Sequence, residues 1–218
     1  MKVEMWADMV CVWCGIAADR MNRAMEQFEH SDDVELVHRS FRLLPDMPEG
    51  RSWEFGEFMT QFRGYSPEQA AATAARVEGL AAADGIDEYY VTGNSVGNST
   101  LAHEFLAWAS DQGKHHEAWD LVFHDNFAER ADIWSVDDLL VFARRLELDE
   151  DAARAALTDR RYKAQVEADH AEVLAIGGQG VPFFVIDGKY GVSGAQSPEV
   201  LVQAMQQAWN EQDAVARV

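Results

Sequence analysis

Cys11-Val12-Trp13-Cys14 contains the only two cysteines among 218 residues, at a spacing suited to thiol–disulfide chemistry. Cβ atoms of residues three apart on a helix stand about 5–6 Å apart, whereas a disulfide needs about 3.5–4.5 Å. A slight adjustment of one turn therefore opens or closes the pair. A strand-like apolar run over residues 3–10 leads in, and a helical pattern leads out. That context places Cys11 at or beside a helix N-cap and facing outward, where free N–H groups and the helix dipole favour a thiolate. Asp8 and the acidic chain oppose this, but distant charges are screened within ~8 Å. Cys11 is the expected attacking thiolate, and Cys14, one turn deeper against a sheet, the expected resolving thiol.

The other reading of two such cysteines is half of a zinc site. Zinc takes about four ligands, and no second CxxC or H-x(3–5)-H follows. His30, His38, His103, His115, His116, His124 and His170 are scattered along the chain. The reading is therefore no metal. The Gly177-Gly178-Gln179-Gly180 run is no nucleotide loop either, because it follows a helical pattern and precedes a strand, the reverse of the phosphate-binding order.

The elements that must position the cysteines are legible as periodicity. Val3, Met5 and Ala7 alternate. Ile16, Met21, Ala24, Met25 and Phe28 then recur at helical spacing, and residues 34–44 read as a second strand. Two strands joined by a helix should be parallel with a right-handed crossover. Residues 45–179 read as helical throughout, beginning with a helix over 53–62 after Ser52. Ser66-Pro67-Glu68-Gln69 is a capping box with Pro at the first helical position, and Ser135 and Asp149 mark further helix starts. The chain then returns to sheet at 183–186 and 189–192 around Asp187-Gly188, a two-residue hairpin signal, before a last helix opened by Ser197-Pro198. The scheme is an α/β core, residues 1–44 and 180–218, interrupted by an all-helical insert over 45–179.

Composition narrows the function classes. With 48% hydrophobic residues the chain can bury a large interior. Lys and Arg total 18 against 38 for Asp and Glu, a formal charge of −20 that disfavours nucleic acid and anionic membranes. No basic segment followed by a long apolar stretch opens the sequence, so the expectation is a cytoplasmic protein. In a reducing compartment a lone cysteine pair is more often redox-active or metal-binding than a staple.

Several stretches together resemble the DsbA-like thioredoxin-superfamily oxidoreductases, in particular the cytosolic FrnE-like branch. They are the CVWC run after a short strand, Asn98-Ser99 with Leu101-Ala102-His103, residues 180–188 (GVPFFVIDG) and residues 192–196 (VSGAQ). The resemblance implies a thioredoxin-like fold with a helical insertion and Pro182 cis, facing the cysteines. It also implies a Val181 backbone that pairs with an extended substrate segment. Asn98, Ser99 and His103 would overlie the groove, although Asn98 and Ser99 serve equally as helix caps. Trp13 would offer an apolar surface to substrate or pack on the insert. Members often carry Pro-Trp between the cysteines; here Val12 restores a backbone N–H and removes a fixed φ.

The function expected is dithiol–disulfide exchange, without a bound cofactor, on disulfide-bearing or thiol-bearing proteins or on low-molecular-weight disulfides. A low-molecular-weight thiol or a thioredoxin-type system would recycle the pair. Two alternatives share parts of the pattern: a thiol-cofactor-dependent enzyme resembling 2-hydroxychromene-2-carboxylate isomerases and kappa-class glutathione transferases, and a non-catalytic chaperone-like peptide binder.

Overall fold

A computed structural model describes the backbone of residues 1–216 and the side chains of 1–212; the last two residues of the core segment placed at 180–218 lie outside it. In chain order the elements are β1 (Lys2–Ala7), α1 (Cys14–Gln27), β2 (Glu35–Ser40), β3 (Ser52–Glu54), α2 (Phe55–Arg63), α3 (Pro67–Ala83), β4 (Ser95–Gly97) and α4 (Thr100–Asp111). There follow α5 (His115–His124), a π-helical turn (Asp125–Glu129), α6 (Val136–Arg145), α7 (Glu150–Thr158), α8 (Lys163–Ala175), β5 (Phe183–Ile186), β6 (Tyr190–Ser193) and α9 (Pro198–Ala216).

The main sheet runs β2-β1-β5-β6. β1 and β2 are parallel, with Met5 opposite His38, and the β1–β5 and β5–β6 pairs are antiparallel. Both faces of β1 are covered, so its apolar residues are buried in both directions. Val3, Met5 and Ala7 join Met21 and Ala24 of α1 and Leu201 and Met205 of α9 in the principal core. Trp6 joins Phe41, Val173 and Val185 on the other side, where its Nε1 donates to Asp169 O at 2.8 Å. A hairpin forms around Asp187-Gly188, both residues having positive φ (54° and 64°), but Ile186 pairs with Tyr190, so Lys189 joins the turn and the second strand starts one residue later than read.

No strand of the main sheet falls between Ser40 and Phe183, and on that ground we take residues 45–179 as the insertion. Its helix starts are largely those expected: Ser66 and Gln69 form a complete capping box on α3, as do Ser135 and Asp138 on α6, and Asp149 caps α7. It is not wholly helical. Residues 52–54, read as the start of a helix, instead pair antiparallel with Ser95–Gly97, and α2 begins only at Phe55 with Glu54 as its cap. The reason is a tertiary one. At Gly97 a Cβ would lie 2.4 Å from Arg51 O and 3.1 Å from the Trp134 ring, so only glycine allows the two strands to close. Among the described residues no helix is long and apolar enough to cross a membrane.

Candidate active site

Two successive turns carry the chain from β1 into α1. Cys11 N–H donates to Asp8 O (3.1 Å) and Cys14 N–H to Cys11 O (2.9 Å); Ala17 N–H to Trp13 O then begins the helix (3.0 Å). Cys14 is therefore the first helical residue, and Cys11 lies in the turn ahead of it, not in the first helical turn or at the cap. Each three-residue turn stacks one cysteine above the other. Cys11 is 5% exposed and Cys14 0%, and both are free thiols.

The small exposed part of Cys11 opens on a cavity of about 180 Å³. Val12, Trp13, Leu44, Phe55, Phe58 and Met59 line it, and Arg63 is the charged residue among its walls. The sulfur also meets the segment that leads into β5: Cys11 Sγ donates to Val181 O at 3.5 Å, and the Val181–Pro182 peptide is cis. Trp13 packs on the core and also lines the cavity. Burial pushes the Cys14 thiol well above the ordinary cysteine range; the adjacent Cys11 sulfur adds to this, as does the charge of Asp8, against a lowering contribution from Asp8 N–H. The deeper sulfur thus stays protonated while the shallower one meets the cavity.

Beneath the pair lies Asp8, wholly buried. Its Oδ1 accepts from Ser99 Oγ (2.6 Å) and Val10 N–H (3.3 Å) and lies 3.3 Å from His103 Nε2; its Oδ2 accepts from Leu43 N–H at 2.6 Å. Every facing group can donate, as an acceptor-only carboxylate requires. His103, placed by the resemblance over the groove, is 0% exposed and meets Asp8. Ser99, placed by sequence over the groove, also turns inward. Asn98 is 5% exposed; its Nδ2 donates to Pro45 O and Met47 O (3.1 and 2.7 Å), and its Oδ1 accepts Thr100 N–H at 3.0 Å, a capping contact. The physical reason is common to all three. Polar side chains at the start of a buried helix find partners inside the fold, and water or substrate does not reach them.

Two further tethers have no counterpart in the sequence reading. Asn126 Nδ2, from the π-helical turn, donates to Met9 O at 2.8 Å, and Tyr89 Oη donates to Val12 O at 2.7 Å. Burial, then the nearby cysteine sulfurs, push the Tyr89 phenol well above its ordinary range, so it remains a donor. Tyr89 stacks on Phe127 at 4.4 Å (14°), and Gly15 leaves room for both: a Cβ there would stand 2.7 Å from Tyr89 Oη and 3.1 Å from Phe127 Cδ2. Gly15→Ala is expected to lower stability by about 1–3 kcal/mol, read as a shift in the urea midpoint, and to be rescued in part by Tyr89→Phe. A polar Asn126 between the apolar Phe123 and Phe127 was the one signal available beforehand.

The chain that carries these two thiols is matched by a family model. The DSBA-like thioredoxin domain model spans residues 2–206. The chain belongs to that family. DSBA-like thioredoxin domains are, broadly, thiol–disulfide oxidoreductases. A probable DsbA oxidoreductase from Streptomyces coelicolor is similar at 38% identity and TM-score 0.91, with 97% of this chain and 91% of that one covered. A 2-hydroxychromene-2-carboxylate isomerase has TM-score 0.73 at 13% identity, with 99% of both chains covered. The cytosolic disulfide reductase DsbM from Pseudomonas aeruginosa, in a structure with GSH, has TM-score 0.60 at 13% identity over 100% of both chains. The last two likenesses extend to the fold alone. No curated protein matches the chain in a sequence comparison.

Proposed function

We propose that the protein exchanges dithiols and disulfides through Cys11 as nucleophile and Cys14 as resolving thiol. The observation that carries this is the asymmetry of the pair: Cys11 meets a cavity, and Cys14 is sealed beneath it with its thiol pushed up by burial. The Cys11 thiolate attacks a substrate disulfide, forming a mixed disulfide and releasing one substrate thiolate. Cys14 gives up its proton and attacks the Cys11 sulfur. The second substrate thiolate leaves, the pair is oxidised and the substrate has gained two electrons. The reverse sequence oxidises a dithiol. An extended segment of substrate lies along Val181, with Val12, Trp13 and Pro182 as its contacts, while Ser99, His103 and Asn98 hold the floor in place. Substrates are disulfide- or thiol-bearing proteins in the cytoplasm, and a low-molecular-weight thiol or a thioredoxin-type system resets the pair, with no bound cofactor.

The test is a trap. With Cys14→Ser, a protein disulfide substrate should accumulate as a covalent adduct on Cys11, visible by mass and released by dithiothreitol. Full turnover by Cys14→Ser with added GSH would instead support the thiol-cofactor-dependent isomerase or transferase, the alternative whose fold this chain shares.

A further inference from the structure

The cavity that Cys11 faces has two features that sulfur exchange itself does not use. One is its size and lining. At about 180 Å³ it falls short of the roughly 300–1,000 Å³ of a small-molecule site. An apolar cavity of about 150 Å³ holds a benzene ring, so this one has room for a single large apolar side chain. The apolar surface does not stop at the wall. Leu43, on that wall, is exposed, and so is Phe62, which stacks on Phe58 at 5.5 Å and meets Trp53 edge-on at 5.2 Å. Adjoining apolar side chains left in water beside a cavity mark a surface that a partner covers.

The other feature is Arg63, the last residue of α2 and the one charged side chain on the wall. Its guanidinium stands over the Phe58 ring, 5.5 Å from the centroid, a contact that consumes none of its N–H donors. Arg20, Arg39 and Arg160 each pair with a carboxylate, whereas Arg63 pairs with none among the described residues. It is exposed and unpaired in a chain where Asp and Glu outnumber Lys and Arg by 38 to 18. A free guanidinium fork matches a carboxylate in bidentate geometry. The dipole of α2 favours a cation at its end, but that does not account for the cation's place on an otherwise apolar wall beside Cys11.

We propose that this cavity and Arg63 set which substrates Cys11 reaches: peptide segments with a large apolar residue (Phe, Leu or Met) next to the reacting cysteine and an Asp or Glu about two residues from it. The proposal rests on Cys11 as the attacking thiol. The apolar side chain fills the cavity, and Arg63 takes the carboxylate at its rim. A cavity of this volume is about 7 Å across, the rise of two residues of extended chain, so one short segment meets both. Arg63 determines specificity and takes no part in the exchange of sulfurs.

The test uses Cys14→Ser, in which an adduct on Cys11 is not resolved, and end-blocked cysteine peptides carried as mixed disulfides with 2-thiopyridine. Attack on the peptide sulfur leaves the peptide on Cys11 and releases one 2-thiopyridone, followed by absorbance, while mass spectrometry confirms the adduct. Phe or Ala precedes the cysteine and Glu or Gln stands two residues after it, and a second set reverses that order. In the faster order Phe should react at least about tenfold faster than Ala, and Glu at least about threefold faster than Gln. Adding Arg63→Gln should abolish the Glu preference, and Arg76→Gln, at an exposed arginine of α3, should leave it unchanged. Comparing Glu with Gln in one protein cancels any effect of Arg63 on the Cys11 thiol itself. Equal rates for all peptides, a Glu preference that survives Arg63→Gln, or a Glu preference with no gain from Phe would each overturn the proposal and leave Cys11 as nucleophile. No adduct with any peptide overturns both.

Discussion

Cys11→Ser should reduce protein-disulfide reductase and dithiol oxidase activity by at least about a thousandfold, while leaving the fold within about 1 kcal/mol of the parent. The substitution changes one atom on a side chain that is 5% exposed, and the hydroxyl that replaces the thiol can still donate to Val181 O. What it removes is the only thiol that faces the cavity. Cys14 cannot take over, because burial holds its thiol protonated and no surface of it is exposed. Turnover of a model protein disulfide with a thiol reductant, alongside urea denaturation, separates the two effects. Retained activity in Cys11→Ser would overturn the assignment of roles; equal loss of stability and activity would point to a structural effect.

Asp8→Ala should cost at least about 3 kcal/mol. It removes, at a wholly buried side chain, the acceptor of the Leu43 and Val10 N–H groups and the Ser99 hydroxyl and the partner of His103 Nε2. Asp8→Asn keeps one acceptor oxygen but aims an amide N–H₂ at donors, so it should cost less, between about 1 and 3 kcal/mol. Ser99→Ala removes one donor of the set, and combined with Asp8→Ala its effect should be strongly sub-additive. Midpoints and slopes from urea unfolding of the four proteins give the coupling directly. A loss below about 1 kcal/mol for Asp8→Ala would mean that the carboxylate does not hold the loop.

What the sequence makes legible here is local. The cysteine pair after a strand, the proline before Phe183, the Asp187-Gly188 turn and the Ser66 capping box each depend on neighbours a few residues apart, and each is found where it was read. What it hides is set by partners far along the chain. Asp8 bonds Ser99 and Leu43, Asn126 reaches Met9, and Tyr89 reaches Val12, and none of these pairs shares a periodic pattern. Trp53 reads as helical because of its apolar neighbours, yet pairs with Val96 because Gly97 lets the strands close. Cys11 itself was placed one turn too far into the helix, since a run of i to i+3 turns has no sequence mark distinct from a helix start.

The Val181 carbonyl has one further implication. While Cys11 carries a proton, its S–H occupies that oxygen at 3.5 Å. Once the sulfur is bonded to another sulfur it has no hydrogen to offer, and the oxygen is vacant for an arriving peptide N–H. On the chemistry proposed above, the thiolate and the disulfide-bonded sulfur both leave that oxygen to an extended guest, and only the protonated thiol competes for it, so access follows the sulfur's proton.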